Sequence, residues 1–207
     1  ASVALPRSSD TPERSLHLRG TQGRVVAGVS ARIVDDTGAE QPWDGTSVGE
    51  IQIRGPWITG AYYEHDGPAV SSDGWLCTGD VGTISPDAFI TLTDRSKDVI
   101  KSGGEWISSV ELENELAAHR AVRTATVIGV PDDKWQERPL AVVVLDAKCT
   151  ATAAELSEFL RVRVARWWLP ERWAFVADIP LTSTGKFDKK KLRRQHADGD
   201  LTVETLA

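Results

Sequence analysis

A chain of 207 residues with 41% apolar and 26% charged residues has the make-up of an ordinary folded protein, with room for one large or two small domains. A net charge of −6 leaves no general field for nucleic acid, and no apolar run is long enough for a transmembrane segment or a signal peptide. Cys77 and Cys149 stand far apart with no metal or redox spacing, and His17, His65, His119 and His196 form no ligand set, so no metal site is expected in this chain and the thiols suit a reducing cytoplasm.

Residues 1 to about 20 carry Pro6, Ser8, Ser9, Asp10, Pro12 and Gly20 and read as a surface loop. Residues 23–34 hold Val25, Val26, Val29, Ala31, Ile33 and Val34 and close on the turn signal Asp35-Asp36-Thr37-Gly38. Residues 49–54 set Ile51 and Ile53 against Glu50, Gln52 and Arg54, a strand that continues through Pro56 and Trp57 towards Tyr62 and Tyr63. An aromatic strand at Trp75 ends in Thr78-Gly79-Asp80. A carboxylate at such a strand end either receives the hydroxyls of a ribose or caps a turn. A hairpin follows, 81–84 against 89–92, turning at Ser85-Pro86-Asp87-Ala88. Short strands with glycine and proline between them predict a small β-barrel-like unit.

The charged connector Asp94-Arg95-Ser96-Lys97-Asp98 changes the pattern to alternating β and α. Val99-Ile100 and Lys101-Ser102 lead into Gly103-Gly104, where positive φ and close approach of another molecule are both permitted. Ser108 with Glu111 makes a capping box, and Ile107 with Leu112 a hydrophobic staple, so a helix starts there and runs to about His119. The apolar runs 125–130 and 140–145 read as buried strands, and 172–176 as a third. Thr152 with Glu155 starts a second helix. Its apolar face, Leu156, Phe159, Leu160, Val164, Trp167 and Trp168, predicts a helix up to Pro170. Near the C-terminus the small loop Thr182-Ser183-Thr184-Gly185 presents Lys186, an ammonium that could sit over developing negative charge. The basic run Lys189, Lys190, Lys191, Arg193 and Arg194 has no interleaved aromatic residues and reads as a solvated face rather than a nucleic-acid patch.

In this order the segments resemble motifs of the adenylate-forming enzymes, which include acyl-CoA synthetases, firefly luciferase and nonribosomal peptide adenylation domains. The resemblance is carried by residues 94–98 with Lys101-Ser102-Gly103-Gly104-Glu105, by Gly74-Trp75-Leu76-Cys77-Thr78-Gly79-Asp80, by residues 49–55 with Gly60-Ala61-Tyr62, and by Thr184-Gly185-Lys186. Gly103-Gly104-Glu105-Trp106 is most similar to the version in fatty-acyl and aryl CoA ligases. The resemblance implies an α+β protein. Residues 1–94 would be the β-barrel-like end of a large N-terminal adenylating body. Residues 95–207 would be a mobile C-terminal domain with a three-stranded sheet and helices, hinged near Lys97.

The implied activity is ATP-dependent ligation of a carboxylic acid to CoA through acyl-AMP, the acid being a medium- or long-chain fatty acid. Lys186 would be catalytic and touch ATP, Asp80 and Arg95 would bind ATP or AMP, and Ser102, Gly103, Gly104, Glu105 and Trp106 would line the CoA path. ATP, Mg²⁺ and CoA would serve the whole enzyme. The family's phosphate loop and its aromatic-Gly-x-Thr-Glu segment are absent from these residues, and the chain holds no methionine. It is therefore expected to be the last part of a cytoplasmic ligase, inactive without the N-terminal body of the same polypeptide. Two alternatives stay open: an acyl-AMP ligase that serves a carrier protein, and a non-catalytic module that binds a nucleotide or a partner.

Overall fold

The computed structural model describes residues 2–64, 67 and 69–206, so His65 lies outside the described residues. The chain forms two compact units, Ala1–Lys97 and Asp98–Ala207.

In order, the first unit contains β1 (Ser2–Val3), α1 (Pro12–Arg19), β2 (Gly23–Val25), β3 (Ser30–Val34), β4 (Glu40–Gln41), β5 (Gly49–Arg54), β6 (Leu76–Ile84) and β7 (Phe89–Arg95). The strands form one antiparallel sheet in the order β1-β2-β7-β6-β5-β3-β4. Among the described residues this sheet is open, with no pairing that closes it into a barrel. Ile33, Ile51, Ile84 and Ile90 are buried together, and Trp43 packs against them.

Three segments of this unit differ from expectation. The first twenty residues are not all loop, because α1 forms there. Thr11 accepts the Arg14 N–H at 3.2 Å, Pro12 takes the first helical turn and Glu13 follows it. Only Leu18 of this helix is buried, so no apolar stripe advertised it. Second, β5 does not continue into the aromatic segment. Ile58 N–H donates to the Gly55 carbonyl at 3.0 Å, closing a turn across Pro56, which cannot donate to a ladder. Third, Asp80 is not at a strand end, because β6 runs through it to Ile84. Cys77 pairs with Gln52 and Val81 with Glu50, so residues 78–80 of β6 face a single residue of β5 in a bulge.

The second unit contains β8 (Ile100–Ser102), β9 (Glu105–Ile107), α2 (Ser109–Ala117), β10 (Val122–Asp132), β11 (Gln136–Leu145), α3 (Ala153–Arg161), β12 (Arg172–Phe175), α4 (Lys189–Ala197) and β13 (Glu204–Thr205). The expected three strands are β10, β11 and β12, with β11 antiparallel to β10 and parallel to β12. β13 pairs with β12, while β8 pairs with β11 and β9, giving a six-stranded sheet. Successive side chains of a strand point to opposite faces. Val127, Ala141 and Val143 thus pack with Leu112 and Leu116 of α2 and Leu156 and Leu160 of α3. Ile128, Leu140, Val142 and Val144 pack with Leu192 of α4 on the other face. The apolar runs are near-continuous because both faces are covered.

The Ser108 hydroxyl accepts the Glu111 N–H at 3.1 Å at the start of α2, and Ile107 and Leu112 are both fully buried. At α3 both halves of the Thr152–Glu155 capping box are formed. That helix is shorter than expected. Arg163 and Val164 N–H both donate to the Leu160 carbonyl, Ala165 is extended, and a short 3-10 turn covers Arg166–Trp168. Val162 is 79% exposed, so its burial adds little to favour another helical turn there.

The basic run of α4 is not wholly solvated. Lys189 Nζ lies 2.7 Å from Glu113 Oε1 and donates to Ser109 Oγ at 2.7 Å. Thr126 Oγ1 and Val127 N–H each donate to the same Glu113 oxygen at 2.8 Å. Arg193 pairs with Asp98 at 3.0 Å. Glu113 thus ties α2, β10 and α4 together, with side chains of the Glu113–Lys189 pair only 16% and 12% exposed. Glu113→Ala should lower the unfolding free energy of this chain in urea by about 3 kcal/mol, because it strands a buried ammonium. Arg161→Ala, which removes the solvent-facing pair with Glu158, should leave the urea midpoint almost unchanged. Equal losses from the two variants would show that the Glu113 cluster carries no special stability.

Candidate functional site

In the first unit the sheet places Asp80 and Arg95 directly opposite each other on β6 and β7. Arg95 Nη1 stands 2.7 Å from Asp80 Oδ1. The bulge sets this pairing. Thr78 Oγ1 donates to the Ile51 carbonyl at 2.7 Å and accepts Asp80 N–H at 3.1 Å. Gly79 takes a φ of +71°, a conformation that side-chain-bearing residues seldom adopt, and its carbonyl accepts Ser96 N–H at 3.0 Å. The preceding Trp75 is held between two cations, with the guanidinium carbons of Arg32 and Arg54 each 4.5 Å from the ring centroid. Arg32 is itself fixed by Gln52 at 2.8 Å and Asp73 at 2.9 Å. A hydrogen bond from Ser71 and the nearby Arg32 hold the Asp73 carboxyl below the usual carboxylate range. The result is a partly exposed carboxylate beside an exposed guanidinium, an acceptor and a donor side by side that suit a pair of vicinal hydroxyls.

At the end of this unit the Ser96 hydroxyl donates to Glu50 at 3.3 Å. Lys97 is the last residue of the first unit and is exposed. Asp98 opens the second unit and is held there by Arg193.

In the second unit the glycine segment is a hairpin. Ile100 pairs with Ile107, Lys101 with Trp106 and Ser102 with Glu105, so residues 105–107 form a strand before the helix. Gly103 and Gly104 have φ of +62° and +85°. Positive φ at both central residues is what a two-residue type I′ loop requires. Gly103 is constrained twice, because a Cβ there would lie 2.7 Å from the Trp135 ring, whereas one on Gly104 would meet nothing. Gly103 N–H also donates to the Trp135 carbonyl at 2.9 Å.

Beside this hairpin lies a cavity of about 780 Å³. Ser102, Gly103 and Glu105 form one wall, Trp135 and Arg138 lie on the β11 side, and Trp167 stands in the wall supplied by the 3-10 turn. Gly104 is at the hairpin tip, and Trp106 is half-buried with Lys101 Nζ 5.5 Å from its ring; neither is part of the cavity wall. Trp135, Arg138 and Trp167 were not singled out as site residues in the sequence. An arginine near the start of a buried apolar strand, and a tryptophan at a hairpin tip, are the signals that could have found them.

Lys186 belongs to a separate, self-contained loop. Leu181 bridges Phe187, Thr182 N–H donates to the Lys186 carbonyl at 2.7 Å, and Lys186 N–H donates to Thr182 Oγ1 at 3.2 Å. Gly185 turns the loop at a φ of +78°. The Lys186 side chain is exposed, on a base fixed by the Lys189–Glu113 pair three residues on. Among the described residues no group of three or more His, Cys, Asp or Glu side chains is placed to hold a metal ion. No helix among them is long and apolar enough to cross a membrane.

Comparison with known proteins bears on all these segments. Residues 111–186 match the AMP-binding enzyme C-terminal domain. The chain is 46% identical over 199 residues to the 3-methylmercaptopropionyl-CoA ligase of Ruegeria lacuscaerulensis, covering 96% of this chain and 37% of the ligase. It is 44% identical over 188 residues to the medium-chain-fatty-acid–CoA ligase of Ectopseudomonas oleovorans, covering 91% of this chain and 34% of that enzyme. Among solved structures, the o-succinylbenzoate CoA synthetase of Bacillus subtilis, in complex with the acyl-adenylate intermediate OSB-AMP, matches with a TM-score of 0.73 at 31% identity. That match covers 88% of this chain and 37% of the synthetase. The chain thus spans little more than a third of the length of these relatives.

Gly103→Ala should destabilise the chain by about 2 kcal/mol, since it adds overpacking against Trp135 to the cost of positive φ. Gly104→Ala should cost about 1 kcal/mol from φ alone. Urea midpoints of the two variants check the order, and a larger loss at Gly104 would contradict the packing described.

Proposed function

The chain belongs to the acyl-CoA synthetases of the adenylate-forming superfamily, and on that premise we propose that it is part of an ATP-dependent acid–CoA ligase. The relative named for medium-chain fatty acids favours a medium- or long-chain fatty acid as the substrate. The observation that carries the reading is the glycine hairpin beside a cavity of about 780 Å³ walled by Trp135 and Trp167. A path of that size with flat aromatic walls suits the pantetheine arm and nucleotide of CoA.

The chemistry runs in two steps. A substrate carboxylate oxygen bonds to the α-phosphorus of ATP, the bond to the bridging oxygen breaks, and pyrophosphate leaves. Asp80 accepts hydrogen bonds from the ribose hydroxyls while Arg95 donates beside it, and the exposed Lys186 ammonium offsets the charge that grows on the carboxylate and α-phosphate oxygens. Then the CoA sulfur, having lost its proton, bonds to the acyl carbon, and AMP leaves. Ser102, Gly103 and Glu105 flank the thiol's path, with Gly104 and Trp106 at the tip and back of the hairpin.

Lys97 is the hinge between the two half-reactions, since Ser96 is held by Gly79 and Glu50 and Asp98 by Arg193. With the hinge at Lys97, residues 1–97 belong to the adenylating body and residues 98–207 to the mobile domain, three residues later than the sequence suggests, because Arg95 still pairs with Asp80 in the sheet of the first unit. Mg²⁺, when bound, would supply charge neutralisation to the polyphosphate in the whole ligase. The ligase acts in the cytoplasm.

In the full-length enzyme, Lys186→Ala should slow ATP–pyrophosphate exchange by about 100-fold, the scale of losing one charge-stabilising donor, and leave thioester formation from supplied acyl-AMP within a few-fold. Equal loss of both half-reactions would refute the role given to Lys186. Gly104→Val should do the reverse, lowering CoA-dependent release and sparing exchange; an unchanged CoA step would take Gly104 off the thiol's path. Acyl transfer to a carrier protein with CoA inert would favour the carrier-protein alternative. Absence of exchange in the full-length enzyme would favour the non-catalytic one.

A further inference from the structure

We propose that Arg138 is the positioning residue of the thiol half-reaction, holding the two walls of the cavity at a fixed separation. This rests on the reading of that cavity as the CoA path. Arg138 is a deeply buried cation, only 6% exposed. Its guanidinium donates from Nη1 to Ser102 Oγ at 3.2 Å and to the Trp167 carbonyl at 2.9 Å. From Nη2 it donates to the Leu169 carbonyl at 3.3 Å and to Glu171 Oε1 at 3.1 Å. One planar fork therefore bonds the glycine hairpin on one side of the cavity and the aromatic turn on the other.

The base of the hairpin is rooted by Ile100 and Ile107 in the core and by Lys101 N–H, which donates to Glu137 at 3.0 Å. Its outer end meets the main sheet through one rung, Ser102 against Gln136, with the Gly103–Trp135 hydrogen bond beside it. The 3-10 turn of Arg166–Trp168 has no side-chain cap at its start, and Arg138 donates to the carbonyls of Trp167 within it and Leu169 just after it.

Stability does not explain a buried guanidinium at this place. Desolvating a cation costs several kcal/mol, and well-packed apolar residues often serve as well or better. Arg138 also keeps Nε buried with no partner among the described residues. What the guanidinium adds is direction, because four acceptors from two segments must meet a rigid plane. A lysine ammonium is a point charge on a flexible stem and cannot reproduce that fork. Arg138 acts on the thiol through Ser102 and Trp167 and need not touch CoA itself.

The test uses the full-length ligase with the two half-reactions measured apart. Arg138→Met should raise KM for CoA about tenfold, a modest value for walls displaced by a fraction of an ångström, with acyl-AMP formation within about twofold of wild type. Arg138→Lys should recover only part of the loss. An unchanged KM for CoA, parallel loss of both half-reactions, or full recovery by lysine would each overturn the proposal. If Arg138→Met does not fold, Glu171→Ala, which removes the side-chain acceptor of the fork beyond the aromatic turn, decides: a KM for CoA raised about threefold supports the clamp, and a wild-type KM overturns it. The wild-type enzyme separates the two readings. If it makes no thioester from acyl-AMP and CoA, the CoA path itself fails; if it does while Arg138→Met keeps its KM, only the clamp fails.

Discussion

The paired strands β10 and β11 are the constraint on which the second unit depends. They run antiparallel from Val122 to Leu145 through a tight turn, with side chains buried on both faces over most of their length. A sheet apolar on both sides has to be covered on both sides. α2 and α3 cover one face and α4 the other. That requirement places the functional loops. The glycine hairpin enters α2, and the Lys186 loop enters α4, so each rests against a helix that the hydrophobic core has already fixed.

The polar contacts then set positions that apolar packing cannot. Burial is non-directional and fixes a helix to a face rather than to a point. Glu113 supplies a point for α4 by accepting from Lys189, Thr126 and Val127 at one oxygen. Arg138 does the same for the cavity walls, and Thr78 for the bulge that turns Asp80 towards Arg95. In each case one polar side chain meets groups from segments far apart in the chain. The candidate site is therefore built from backbone irregularities, a bulge and a type I′ loop, locked by a few directional bonds.

Much of the second unit was legible because its signals are local. Thr152 with Glu155, Ser108 with Ile107 and Leu112, and the runs 125–130 and 140–145 each carry their instruction within a few residues. The misreadings share one cause. The face of Leu156, Phe159, Leu160, Val164, Trp167 and Trp168 has helical period, yet α3 stops at Arg161, where Arg163 and Val164 N–H both turn to the Leu160 carbonyl and Arg138 donates to the carbonyls of Trp167 and Leu169 beyond. The segment at Pro12 lacks an apolar stripe, yet its cap starts a helix. Period and cap compete, and the surroundings decide which prevails.

From the sequence alone came the order of the main elements, the α+β class, the glycines where positive φ is permitted, and the residue types at Asp80, Arg95, Gly103, Gly104 and Lys186, all carried by neighbours in the chain. Only the tertiary structure decided that Asp80 sits in a bulge opposite Arg95, that Trp135 crowds Gly103, that Lys189 is buried on Glu113, and that Arg138 spans two walls. Those relations join residues tens of positions apart. Their energies come from desolvation and bond direction, quantities that exist only once the chain has folded.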